Sequence, residues 1–480
     1  MLFANFGVIK IMLVERIQLI YKYVLGQYDK DQHYFSVLYI ILLLMILMSY
    51  YPLLVASFYW IHCQFIELAK QFWKSRDQLE SRFLIISLIV FGVIVVYSYG
   101  RTKLFYNPGY YDALYTTDSW AHYTTNTWVV LAAPENDIRQ PIFALFSSVL
   151  SIYPYLISKV FPFLPNLYGY MMGILQVALI AIAFIAFARC LQLHGMDKVF
   201  FLLISMTSFP AILFSLLLEQ YQFAMFWLAL FIYFAINTKP DSSSIDSLMI
   251  ASAGSLLTSW SIVLLMLSPT KIKHSIRKCI QLIIEFLFFT FICFRLSTIT
   301  KAYSNINELL RFASTHGNEV QTDIEKFRQF FTFVASCFIA TPSSVSHNYS
   351  PAPEMPSISL QTDLYNYYYI IGIVIFFISV VSFIMIKKEK ITITAFSWIV
   401  FSFVLLAIVG WGAIEKGMVL YTLYFGWAYI MLIYKSVDKV FSNLKCVKYS
   451  IYTLIIIFQL MLNLFALYRI IDFGKLYYSN

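Results

Sequence analysis

The chain has 480 residues, of which 60% are apolar and only 12% charged, and its mean hydropathy is +0.73. Soluble globular chains carry about 45–50% apolar and about 25% charged residues, so this chain lacks the polar residues to cover a water-facing surface and the soluble classes are excluded. The net charge of +9, from 34 Lys and Arg against 25 Asp and Glu, sits in short clusters between apolar runs. That is the pattern of inner-side loops, not a basic stripe for nucleic acid.

The apolar runs reach the roughly 20 residues that a spanning helix needs. They are far longer than the alternating segments of about 10 residues in an outer-membrane barrel. The expected fold is therefore all-α: a polytopic helical membrane protein of about 11–13 transmembrane helices, multi-pass in a bacterial plasma membrane. The six cysteines, at 63, 190, 279, 293, 337 and 446, form no CxxC pair and read as inert thiols in or beside apolar runs.

In chain order, residues 1–82 hold an interfacial helix at 3–24 and a first membrane helix or hairpin. They end in a cytoplasmic loop marked by Lys70, Lys74, Arg76 and Arg82. The first 35 residues mix charge with apolar residues and show no signal-peptide cleavage site. Residues 34–68 read either as one long helix broken near Pro52 or as a tight hairpin, which place the N-terminus on opposite sides. The core, 83–297, starts with an outward helix at 83–100 and a first outer loop, 101–140. Segment 141–163 then lies on the outer face, and helix 168–192 returns inward.

Runs at 198–213, 219–236 and 279–297 follow, with 246–268 between them as a short hairpin tipped by Thr258, Ser259 and Trp260. Both flanks of that hairpin read as cytoplasmic. Departures from full-length helices at membrane depth need shielding from lipid and often line a cavity. Residues 298–364 form a second outer loop, with an amphipathic run at 322–340 that lies at the interface with its Phe side dipped in. Residues 365–480 carry the last helices, at 365–386, 391–411, 418–434 and 449–472.

Polar residues gather in the first outer loop, YGRTKLFYNPGYYDALYTTDSWAHYTTNTWVVLAAPENDIRQPIFALF. Asn107-Pro108-Gly109 is a turn signal, and Thr116-Thr117-Asp118 suits the start of a short helix. On that helix Asp118 and His122, four apart, share a face. An acid held among aromatics at a membrane surface suits general-base chemistry. Intramembrane Glu285 is a polar outlier, but it stands outside this group.

Three motifs in this order resemble the GT-C superfamily of integral-membrane glycosyltransferases. They are the Asp-bearing loop NPGYYDALYTTDSWAHY, the element RQPIFALF at 139–146, and Leu218-Glu219-Gln220-Tyr221 at the outer start of a helix. The likeness covers roughly residues 80–480. It implies two structured outer loops and transfer of a sugar from a polyprenyl-phosphate-linked donor to a lipid, glycan or protein acceptor at the outer face. It implies catalytic roles for Asp118, as base, and for Asp112. Arg139, which matches phosphate oxygens, Gln140, His122, Glu219 and Tyr221 then form the substrate-binding set, with His122 mainly structural. The residue before Pro141, often His in the family, is Gln140 here. Some members use a divalent metal, but Asp112 and Asp118 are six apart and make no clear metal motif, so no metal ligand is assigned and the cofactor stays open.

Two other readings compete. A polysaccharide polymerase or ligase of the O-antigen or exopolysaccharide type also has two outer loops, but ones rich in Arg. A flippase or transporter would carry mid-bilayer charges and inverted repeats.

Overall fold

The computed structural model describes residues 61–109, 113–130, 140, 142–237, 243–259, 280–288, 323–346, 356–360, 367–387, 389–411 and 418–479. The chain divides into two compact units, Met1–Gln64 and Phe65–Asn480, and the second carries all that follows. The N-terminal alternatives at 34–68 fall mostly outside the described residues.

Helices dominate. Among the described residues, seven are long and apolar enough to cross a membrane, and they identify a multi-pass membrane protein. The helices are α1 (Gln78–Arg101), α2 (Ser119–Thr125), α3 (Phe143–Val160), α4 (Leu167–Cys190), α5 (Gly195–Thr207), α6 (Phe209–Phe214), α7 (Tyr221–Asn237) and α8 (Ser243–Ser255). After the second outer loop come α9 (Asp323–Ser336), α10 (Tyr368–Ile386), α11 (Lys390–Ser402), α12 (Thr422–Val440) and α13 (Lys445–Tyr477). A π-helical turn, Phe403–Ile408, extends α11.

Helices α4 and α7, apolar nearly all round, form the centre with the buried Thr422–Leu432 part of α12, where Phe187 stacks on Trp427 with ring centroids 4.5 Å apart. Helices buried on every face belong to the interior. By contrast α1, α10 and α13 bury little of their length and present Ile89, Val93, Val381 and Met461 outward, as lipid-facing helices do.

Chain direction follows from the contacts at the helix ends. Glu80, in the first turn of α1, pairs with Arg189 in the last turn of α4, while Tyr99 and Tyr170 meet at their opposite ends with centroids 5.6 Å apart. The two helices are therefore antiparallel. Lys448 at the start of α13 bonds Asp197 and Asp438, and Tyr478 beyond its C-terminus accepts from the Lys103 amide. The basic residues of 189–198 and 435–448 thus share one end of the bundle, and the 102–130 loop lies at the other. α8 ends against α12: the Ser259 hydroxyl bonds that of Tyr424. The second arm of the expected hairpin, with Trp260, lies outside the described residues.

Two expected elements differ. The run 198–213 is not one helix but breaks at Ser208, whose backbone is extended at φ −62°, ψ 148°. Pro210 has no N–H to continue the ladder, and after α6 the chain stays irregular through 215–220 while almost fully buried. Unpaired backbone at such depth is costly, and side chains satisfy it. Gln222 donates to the carbonyls of Phe214 and Leu217 at 2.7 Å, and Tyr99 donates to that of Leu216. Asn463, midway along α13, donates to the carbonyls of Thr207 and Phe338 and accepts from the Ala340 amide.

The amphipathic run at 322–340 does not rest on lipid with its Phe side. Phe330 and Phe333 of α9 are fully buried against Phe376, Phe403 and Phe425 of α10, the π-helical turn and α12. The seam is close enough at Gly372 that a Cβ would fall 1.7 Å from the Phe331 carbonyl oxygen.

The strands β1 (Ser343–Ser346) and β2 (Ser357–Leu360) pair antiparallel, with Val345 opposite Ile358. β2 also joins the two outer loops. The Tyr115 amide donates to the Ile358 carbonyl at 2.7 Å, and the Ile358 amide to that of Ala113 at 3.0 Å.

Candidate functional site

Asp118 is the N-cap of α2, as the Thr-Thr-Asp sequence predicts, and the His122 amide donates to its carbonyl at 2.9 Å. Its carboxylate makes no capping bond to the helix and stands half-buried. The turn before it is strained. Tyr115 and Thr116 both adopt left-handed backbone, at φ 53° and 59°, a conformation that costs on the order of 1–3 kcal/mol for a non-glycine residue and is an outlier for a β-branched one. Neighbours hold it in place. The Tyr115 ring is buried edge-on to Phe209, and its amide is tied to β2. Burial pushes the Tyr115 phenol up to about 12, against the opposing effect of a hydrogen bond with Ser343.

From below, the loop rests on Glu219. One carboxylate oxygen accepts from the Asp118 amide at 2.7 Å and from the Ser119 hydroxyl at 3.4 Å, and the other lies 3.5 Å from His122 Nε2. Glu219 is 2% exposed and His122 4%. Gln176 on α4 donates to the Glu219 carbonyl, and Thr127 bonds the second imidazole nitrogen of His122 at 3.2 Å. Asn126, the left-handed cap of α2, turns the chain so that Thr127 and Trp128 reach His122. Asp118, His122 and Glu219, three of the expected site residues, therefore form one connected group. Within it, Glu219 and His122 face the backbone and side chains of the loop that carries Asp118.

The remaining expected residues lie elsewhere. Tyr221 starts α7, with its ring edge-on to Phe214 and Tyr421. The Gln140 carbonyl accepts from the Phe143 amide at the entry to α3. Asp112 and Arg139 lie outside the described residues. α3 begins against α7, at Phe143–Phe223 and Phe146–Trp227, and its middle meets the outer-loop residues, with Ser147 bonding the Trp128 carbonyl and Tyr155 packing on Tyr168. Gly254 permits the close approach of α8 to Ile142, since a Cβ there would fall 1.8 Å from the Ile142 side chain. Glu285 accepts from Gln281 one turn earlier.

The loop's aromatics divide by exposure. Tyr106 and Trp128 are fully buried and belong to the packing, with Tyr106 4.7 Å from Tyr99 and 5.6 Å from Tyr123 between centroids. Among the described residues, half-buried rings such as Trp120 and Tyr123 stand where a ligand could stack. Burial raises the Tyr123 phenol above its ordinary value.

The surroundings also hold buried polar atoms without a hydrogen-bond partner. These are Thr117 Oγ1, Trp128 Nε1, the Tyr168 hydroxyl, Gln176 Oε1 and both carboxamide atoms of Gln220. Buried polar groups are normally satisfied, so these atoms hold hydrogen-bonding capacity that the protein itself does not use. No sequence signal foretold Gln176, whose type is ordinary in a helix, whereas Gln220 stands within the quoted Leu218–Tyr221 motif. Among the described residues no three of His, Cys, Asp and Glu gather into a metal-binding group. No family model, curated protein or solved structure matches the chain.

Proposed function

We propose that this protein is a membrane glycosyltransferase of the GT-C type. It moves a sugar from a polyprenyl-phosphate donor to a lipid, glycan or protein acceptor at the acid-bearing end of the bundle. The observation that carries the reading is the placement of Asp118. It is a half-buried carboxylate on a strained turn, anchored through its own amide by a buried Glu219 and set beside unsatisfied polar atoms.

Asp118 is the general base that takes the proton of the acceptor hydroxyl, for which it must approach within about 3 Å. That hydroxyl displaces the lipid phosphate at the anomeric carbon with inversion. Glu219 and His122 act as positioning residues that fix the turn, and Arg139 meets the leaving phosphate. The full set of 11–13 membrane helices belongs to the same reading.

The test uses membranes carrying Asp118→Asn and a polyprenyl-phosphate-sugar donor. Removal of a general base lowers rates by about 10²–10⁴-fold, so transfer should fall by at least about a hundredfold at unchanged protein level. Full transfer in that variant overturns the role of Asp118. Transport of the lipid-linked sugar by the wild type without any transfer overturns the class.

A further inference from the structure

At the Lys/Arg-rich end, far from Asp118, a cavity of about 520 Å³ opens between the C-terminal ends of α10 and α12. Its polar lining is Lys387, Glu389, Lys435, Asp438, Lys439 and Ser442. That volume lies in the range of small-molecule sites, about 300–1,000 Å³.

The charges are unevenly satisfied. Glu389 is paired with Lys435, and Asp438 with Lys448 at 2.8 Å, so both carboxylates are engaged. Lys439 meets only the Met385 carbonyl, at 2.7 Å, where it caps the last turn of α10. Lys387 has no ionic or hydrogen-bond partner among the described residues and is exposed. Lys387 and Lys439 therefore form no ion pair among the described residues, and the lining as a whole, three Lys against Glu389 and Asp438, is net positive by one charge.

The cavity also continues into an apolar surface. Ile384 lines it and is 61% exposed, and Val381 and Phe377, one and two turns earlier on the same face of α10, are exposed as well. α10 is a membrane-spanning helix whose apolar stretch ends at Ile386, so Lys387 stands at headgroup depth, directly after the stripe. Basic pockets between membrane helices at this depth suit anionic headgroups, and an uncharged acyl chain suits the stripe. The geometry points to an anionic glycerophospholipid as the occupant: phosphate between Lys387 and Lys439, glycerol hydroxyl toward Ser442, and one acyl chain along Phe377, Val381 and Ile384. This site is independent of the catalytic reading, and its test needs no transfer assay.

The purified full-length protein in neutral detergent is titrated with fluorescent phosphatidylglycerol, with phosphatidylcholine carrying the same label, and with inorganic phosphate. Phosphatidylglycerol should bind about thirtyfold more tightly than phosphatidylcholine, and K387Q/K439Q should bring the two to parity, since both lysines contribute to the preference. E389Q removes a competing carboxylate and should tighten phosphatidylglycerol binding. Equal binding of the two lipids, or an unchanged preference in K387Q/K439Q, overturns the site.

Amine acetylation of the wild type in bilayers of either lipid is the second measurement and needs no variant. Phosphatidylglycerol should protect Lys387 and Lys439 several-fold relative to exposed Lys445, and phosphatidylcholine should not. Equal protection in both bilayers overturns the proposal. So does displacement of phosphatidylglycerol by inorganic phosphate at comparable concentration, which would make the cavity a soluble-anion site.

Discussion

At one end of the bundle Asp77, Glu80, Arg189 and Lys198 close a network. Arg189 forks onto both Glu80 oxygens and donates to Ser75 and the Phe72 carbonyl, while Lys198 bridges Asp77 at 2.6 Å and Glu80 at 2.8 Å. At the other end, among the described residues, one buried pair, Glu219 and His122, sits under a strained turn beside polar atoms that have no partner. Charge is used differently at the two ends. A saturated network anchors helices and has no bonding capacity left for a ligand. A half-saturated region is expensive to maintain and persists where something else completes it. Burial and charge alone would rank the first cluster as the more obvious site. Hydrogen-bond saturation separates anchor from site.

The sharpest way to break this contrast is to remove one charge from each end. Glu80→Gln removes the carboxylate that pairs with Arg189 and leaves Lys198 with Asp77 alone; the two basic side chains are 8% and 6% exposed. Breaking a buried pair by removing one partner costs about 3–5 kcal/mol. The thermal midpoint in detergent should fall markedly, while the transfer rate per folded molecule stays at the wild-type level. A loss of turnover without loss of stability would assign the network to the site after all.

A smaller effect is expected at mid-depth, where Asn463 ties the α5–α6 break to residues 338–340. Asn463→Leu leaves the Ala340 amide without an acceptor, a cost of about 1–3 kcal/mol for a buried donor. Hydrogen exchange should show protection lost first at 337–341, with the Glu80 network still protected. Simultaneous loss at both places would mean that the bundle opens as one unit and its ends are not energetically separate.

Glu219→Gln should cost little stability, about 1 kcal/mol, because the amide oxygen still accepts from the Asp118 amide. Transfer should nonetheless fall about tenfold or more, since a slight misplacement of a catalytic group is costly. An unchanged rate would remove Glu219 from the positioning role.

Much of this division was legible in the sequence. The clustering of Lys and Arg places 189–198 and 435–448 at one end, as the contacts do, and Thr-Thr-Asp marks the start of α2 correctly. The pairing of Glu80 with Arg189, 109 positions apart, has no local signature, because it depends on two antiparallel helices meeting at their ends. The break at Ser208 was within reach, since Pro210 cannot sit inside a continuous helix, but the apolar run from 198 to 213 outweighed it. α9 was read as lipid-facing because lipid and protein interior attract the same Phe residues, and composition cannot tell them apart. The left-handed pair Tyr115-Thr116 was beyond sequence reasoning, as neither residue type favours that backbone and only tertiary contacts hold it there.

Asp77 offers the subtlest test of an anchored end. Burial alone would push its carboxyl up. The Lys198 hydrogen bond, the Glu80 amide and the charges of Lys198 and Arg189 outweigh that and hold it below its ordinary value of 3.8. A carboxyl that is lowered on folding binds fewer protons in the native state than in the unfolded one, so it adds stability above its unfolded value. That stability is lost as pH falls through 3.8 toward the lower folded value. The side chain is 48% exposed and solvent screens the pair, so the effect is modest beside that of Glu80. Asp77→Asn keeps an acceptor for the Glu80 amide but cannot titrate. Its thermal midpoint should lie below that of the wild type near neutral pH, with the gap narrowing as pH drops below about 4. No gap at any pH would mean that Asp77 supports α1 through its capping bond alone, which Asn retains, and that Lys198 is held by Glu80 without it.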